Sequence, residues 1–197
     1  MRRQSKRPRF QRLQRLSNGP YSALTIRFGR RYLQDYPDHG PAWLLVGIAL
    51  VGLARYEEAE QAFAKALEFC PAEMRQLPLD ELGHLFREAG DYEQAAKWYQ
   101  KAIEADPGDA THHIYLGAVR AKQGRFLEAE EEHRAAIECS EGCIDEAYLN
   151  LGFVLRALDR LAEAAECFRN AISLDPEYRL ARRALRDVEL CMKLDRG

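Results

Sequence analysis

Long apolar runs are missing from this chain. The longest, AWLLVGIALVGLA, covers thirteen residues from Ala42 to Ala54, between Gly40-Pro41 and Arg55. A membrane-crossing helix needs about 18 apolar residues or more, and this run starts too late to be the apolar part of a signal peptide. It reads as a core helix. Acidic residues are missing from the first 34 positions, which hold Arg2, Arg3, Lys6, Arg7, Arg9, Arg12, Arg15, Arg27, Arg30 and Arg31 before the first acid, Asp35. Positions 35–197 then carry 19 basic against 31 acidic residues, so the net charge of −2 hides a basic start joined to an acidic body. A paired-cysteine framework is missing too. Cys70, Cys139, Cys143, Cys167 and Cys191 are odd in number and follow no secretory signal, which predicts a reducing, cytoplasmic setting. Cys139 and Cys143 stand four residues apart, but no second Cys/His pair of zinc spacing accompanies them, so no metal site is expected.

Proline (8) and glycine (13) are few and spaced out, while Ala, Leu, Glu and Arg are plentiful. That composition predicts an all-helical chain. Laid against itself, the chain repeats. Gly47, Gly83, Gly117 and Gly152 are spaced by 36, 34 and 35 residues. Twelve residues after each comes an alanine (Ala59, Ala95, Ala129, Ala164), and nineteen after each comes another (Ala66, Ala102, Ala136, Ala171). Sixteen after each comes a ring: Phe63, Tyr99, His133 or Phe168. Pro71, Pro107, Glu141 and Pro176 stand at the twenty-fourth place. Two helical periods flank a short break in each unit, at 54–55, 89–91, 123–125 and 159–160. The glycine and the first alanine lack bulk, so two antiparallel helices approach closely there, and a proline cannot continue the helix it ends. One helix pair cannot bury its apolar face alone; stacked pairs bury a shared core.

These units resemble tetratricopeptide repeats. The first carries Trp43, Val46, Gly47, Leu50, Ala59, Phe63, Ala66 and Pro71; the fourth carries Tyr148, Leu151, Gly152, Leu155, Ala164, Phe168, Ala171 and Pro176. The resemblance covers residues 40–176 and departs at Arg120, His133 and Glu141, which predicts a looser third repeat or a more flexible joint after it. The implied fold is an all-α, right-handed superhelical solenoid of antiparallel helix pairs with a concave inner face. The expected organisation is a basic flexible arm over 1–16, a helix resembling a degenerate half-repeat over 17–39, repeats over 40–71, 72–107, 108–141 and 142–176, and a capping helix over 177–197. Ser17 or Asn18 is the expected cap of the half-repeat helix, with Pro20 in its first turn. On the final helix, Ala181, Ala184, Leu185, Val188 and Cys191 form the expected inward face.

The resemblance also implies where a partner sits. In this family the first helix of each repeat lines the concave groove. The matching positions are Leu44, Ile48 and Val51; Asp80, His84 and Arg87; Ile114, Ala118 and Lys122; and Leu149, Phe153 and Arg156, with Asn150 able to hydrogen-bond a peptide backbone. The competing reading is that some of these merely pack against neighbouring first helices. The groove suits an extended or helical peptide with a few apolar anchors. The carboxylate-gripping clamp of chaperone adaptors is not matched: Leu44, Ile48, Thr111 and Tyr115 occupy its places. No charge breaks the run 42–54, so something should cover Leu44, Ile48 and Val51: a partner, a second copy, or the N-terminal arm, where Phe10, Leu13 and Leu16 recur at helical spacing. A homo-oligomer through this apolar first repeat is therefore one expectation. The arginines of the arm (Arg2, Arg3, Lys6, Arg7, Arg9, Arg12, Arg15) fit nucleic acid, the ribosome, an anionic membrane or organelle targeting, against the plain reading of a solvated tail. His84, one turn from Asp80, is the best general-base candidate, but the chain shows no nucleophile turn, phosphate loop or metal constellation. The expectation is a non-catalytic protein-interaction scaffold without a cofactor.

Overall fold

A computed structural model describes residues 6–194. The chain divides into two compact units between Gly90 and Asp91. The first unit holds α1 (Lys6–Ser17), α2 (Ser22–Asp35), α3 (Gly40–Val51), α4 (Tyr56–Phe69), a short 3-10 turn (Ala72–Met74) and α5 (Gln76–Glu88). The second holds α6 (Tyr92–Ala105), α7 (Ala110–Lys122), α8 (Phe126–Glu138), α9 (Ile144–Ala157), α10 (Leu161–Leu174) and α11 (Arg179–Leu194). No β-strand occurs among the described residues; one isolated bridge joins Asp109 and Glu141. The division falls inside the expected repeat 72–107, with α5 in one unit and α6 in the other.

The caps are local. Asp91 and Asp109 accept hydrogen bonds from the N–H groups of Gln94 (3.0 Å) and Thr111 (2.8 Å), satisfying donors that the first turns of α6 and α7 leave free. His39 Nδ1 does the same for Ala42 N–H, with Pro41 in the first turn of α3. The seventh residue after each repeat glycine is left-handed: Ala54 (φ 55°), Gly90 (φ 80°), Gly124 (φ 76°) and Asp159 (φ 60°). That conformation lets the next N–H reach back, as Arg55 does to the Leu50 carbonyl (3.0 Å) and Arg160 to that of Leu155 (2.9 Å), closing the helix.

Gly47, Gly117 and Gly152 touch the rings of their own repeats. A Cβ added to Gly47 would stand 2.4 Å from the Phe63 ring, one on Gly117 2.6 Å from His133, and one on Gly152 2.4 Å from Phe168. The alanines flanking each ring, Ala59 and Ala66, Ala129 and Ala136, and Ala164 and Ala171, are fully buried. Small residues admit the partner helix, and the ring then fills the space its neighbours leave.

Residues 6–16 correct the sequence expectation. They are no flexible arm but most of α1, which packs on α2 and α3 with Leu13 fully buried. Residues 1–5 lie outside the described residues. Counting back 34 positions, Gly47, Phe63 and Pro71 become Leu13, Gly29 and Pro37. The large and small partners have changed helices: a Cβ on Gly29 would stand 3.4 Å from Leu13 Cδ1 and 2.3 Å from Val46 Cγ2. The half-repeat expected over 17–39 is thus completed by α1 into a helix pair. Ser17 ends α1 rather than capping α2, which begins at Ser22 after Tyr21 with no side-chain cap, and Pro20 lies in the turn between them.

The segment that closes the third repeat is hydrogen-bonded back to the start of that repeat. Ala110 N–H donates to the Glu141 carbonyl (3.0 Å), and Glu141 N–H donates to that of Gly108 (3.2 Å). A proline at 141 would have no N–H to give. Cys191, expected to face inward, is exposed; Ala181, Ala184 and Val188 alone form the fully buried stripe of α11.

Candidate functional site

The thirteen expected partner-contacting residues divide by burial. Leu44 (7% exposed), Ile114 (2%) and Leu149 (3%) are core residues. Each sits three positions before its repeat glycine, and burial of this degree favours the competing packing reading for these three. One position after the glycine the side chain is open: Ile48 is exposed, and His84, Ala118 and Phe153 are half-buried. Farther along the same helices, Lys122 and Arg156 are exposed, while Val51 and Arg87 are half-buried. Asp80 and Asn150 are half-buried as well.

In the first unit, α3 is apolar all round because it is central: α1, α2, α4 and α5 all pack on it. Packing accounts for Ala42, Leu44, Val46, Ala49 and Leu50, leaving Ile48 as its exposed large apolar residue. On α5, burial and Arg87 hold His84 below its ordinary pKa, with Asp80 and Glu88 opposing. Its imidazole is therefore neutral at pH 7. Glu81 is pushed up by burial and by the neighbouring carboxylates of Asp80 and Glu88. α5 thus presents a polar, partly desolvated band beside the apolar α3.

In the second unit, Phe153 packs edge-on against Phe168 (5.4 Å), and the Arg156 guanidinium lies 5.3 Å from the Phe153 ring centre. Arg156 also pairs with Asp187 of α11 at 2.8 Å. Between α9 and α11 runs a cleft of ≈ 440 Å³, where Leu180, Arg183 and Leu190 join these residues. On sequence alone α11 has a capping role only, and this lining is an addition from the structure. A second stripe at Leu180, Arg183, Asp187 and Leu190, spaced by three and four, was the available signal. Among the described residues no group of three or more His, Cys, Asp or Glu side chains converges as a metal site.

Docking of α1 consumes part of its charge. Arg9 pairs with Asp35 at 2.6 Å, lies against the Tyr32 and Tyr36 rings, and has a side chain only 14% exposed. Arg12 lies over Phe28 and Lys6 over Tyr36. Arg7 and Arg15 are exposed; Arg2 and Arg3 lie outside the described residues.

Family models of the tetratricopeptide repeat match residues 40–73 and 145–178, and a further TPR repeat model matches residues 83–124. The chain belongs to the tetratricopeptide repeat family. It is 30% identical over 110 residues to the Hsp70-Hsp90 organising protein of Plasmodium falciparum, covering 56% of this chain and 43% of that protein. The chain spans less than half the length of the curated relatives it matches first. Its fold is that of solved tetratricopeptide solenoids. YrrB, described as a TPR protein with an unusual peptide-binding site, matches with a TM-score of 0.68, at 22% identity and over 92% of both chains. MamA of Desulfovibrio magneticus RS-1 matches with a TM-score of 0.72, at 20% identity, over 88% of this chain and 97% of that one.

Proposed function

We propose that this tetratricopeptide chain is a non-catalytic interaction scaffold that holds a peptide or helical segment of a partner protein along the groove formed by its first helices. The supporting observation is the register of exposure. The position after each repeat glycine stays open (Ile48, His84, Ala118, Phe153) while its neighbours in the helix are buried. Within each unit, a partner laid across the first helices meets one such position per repeat. The relatives fit this reading: one is named an Hsp70-Hsp90 organising protein, and YrrB is described as having an unusual peptide-binding site. The contact set is Ile48, Val51, Asp80, His84, Arg87, Ala118, Lys122, Asn150, Phe153 and Arg156. A photo-crosslinking residue placed at His84, Ala118 or Asn150 should capture a partner in the native cell, and one at Glu131, exposed on a second helix, should not. Equal capture at Glu131 would refute the groove. A cytoplasmic, reducing setting belongs to the same reading, since all five thiols are free and Cys70 and Cys167 are buried. No helix among the described residues is long and apolar enough to cross a membrane.

A second reading adds a tether. Arg7, Arg15, Arg27 and Arg31 on α1 and α2 are exposed and form no ion pair among the described residues. Arginine clusters of this kind attract the phosphates of RNA or of an anionic membrane, with strong salt dependence. Filter binding of RNA and flotation with anionic vesicles, each at two salt concentrations, test it with these four arginines changed to glutamine. An unchanged salt slope would remove it.

A further inference from the structure

The cleft between α9 and α11 carries a chemistry that narrows the partner. Charge in the second unit is segregated by helix. The first helices and the cap (α7, α9, α11) hold eight Lys and Arg against four Asp and Glu, while the second helices (α6, α8, α10) hold four against nine. Part of that cationic excess, carried mostly by α11, lines the cleft between α9 and α11. Three arginines, Arg156, Arg183 and Arg186, line the cleft with a single carboxylate, Asp187, which Arg156 already engages at 2.8 Å. Arg183 and Arg186 form no ion pair among the described residues, and both are exposed. Apolar surface lies among them: Leu180 is 50% exposed and Leu190 60% exposed.

We infer that this cleft receives an acidic amphipathic helix of a partner protein, whose leucine-like side chains seat on Leu180, Phe153 and Leu190 and whose carboxylates meet Arg183 and Arg186. The inference rests on the scaffold reading above. Leu180 and Leu190 are ten residues apart on one helix, roughly 15 Å at 1.5 Å per residue, a span that about three turns of a docked helix cover. Closing the cleft removes both guanidinium groups from water. A partner bearing Asp or Glu returns charge-assisted, forked hydrogen bonds. A neutral partner leaves the arginines desolvated and unpaired, and a basic partner adds repulsion.

The test uses a fluorescein-labelled 14-residue peptide of Leu and Glu, with leucines at i, i+3, i+4 and i+7, and the same peptide with Gln or Lys in place of Glu. Anisotropy titrations are run with the full chain at two salt concentrations. The Glu peptide should bind, more weakly at the higher salt. Its affinity should fall about tenfold or more in R183E/R186E, the size expected from losing close charge pairs at an interface, and again in L180Q/L190Q. Lys97→Glu on α6 should change nothing. Thermal melts by circular dichroism establish that each variant is folded. Binding of the Gln or Lys peptide as tight as that of the Glu peptide, or indifference to both double variants, overturns the inference. So does failure of the Glu peptide to bind. The scaffold reading is decided separately, by crosslinking at His84, Ala118 and Asn150, so one can fail without the other.

Discussion

His133 holds the place that Phe63, Tyr99 and Phe168 hold in the other repeats. It is almost wholly buried against Gly117, and its Nδ1 has no hydrogen-bond partner. Burial lowers its pKa from 6.5 to about 4. The unfolded chain therefore binds a proton that the folded chain refuses between those two values. The favourable contribution is complete above about pH 6.5 and is lost as pH falls toward 4. The difference corresponds to about 3 kcal/mol of stability over that window. His133→Phe should flatten this acid-side slope and also remove an unsatisfied buried nitrogen, raising stability at pH 5 most. Urea unfolding at pH 5 and pH 7 measures both effects. The repeat was legible here because a ring of any polarity keeps the spacing of sixteen. The cost of choosing an imidazole was not, since it depends on how completely Gly117 and its surroundings exclude water.

At the scale of elements, helix ends and helix pairs carry the argument. Ala54 occupies a left-handed position that Gly90 and Gly124 fill without strain. An alanine Cβ crowds the backbone there, whereas glycine adopts the conformation freely. Ala54→Gly should raise stability by about 0.5–1 kcal/mol, the strain relieved exceeding the added chain entropy, and a rise in thermal midpoint would register it. The breaks themselves were readable from sequence at 54–55 and 159–160, although neither site has glycine, because the periodicity on both sides fixes them. The helix pair α1–α2 escaped the same reading. A search for glycine followed sixteen residues later by a ring finds nothing where Leu13 is followed by Gly29. The candidate site was half legible in the same sense. Register located the open positions after each glycine, but burial at Ile114 and Leu149 involves residues of the next first helix or of the cap, such as Ala147 and Ala184, which a single repeat does not contain. The second stripe of α11 was overlooked because one role, covering the last repeat, already accounted for the helix.

Across the whole molecule, a stacked array is expected to spread stability among neighbouring helix pairs instead of concentrating it in one centre. Phe168 joins α9 and α10, and the cluster around it extends through Leu151 and Leu155 to Ala184 and Val188 of α11. Truncation to alanine should cost about 3–5 kcal/mol. In a stacked array the loss should fall off with distance along the chain. Hydrogen exchange of Phe168→Ala should show protection lost most in α9, α10 and α11 and least in α6 of the same unit; a uniform loss across the chain would contradict nearest-neighbour coupling. Chains of near-identical hairpins face a further hazard, which is pairing with the wrong copy while folding. The exchanged bulk of Leu13 and Gly29 guards against it. Seated on α4 by mistake, α1 would drive Leu13 into Phe63; seated on α2, α3 would set Gly47 against Gly29 and leave a hole. Both errors are disfavoured by shape alone, so the first helix pair is keyed to itself like a lock with one odd tooth.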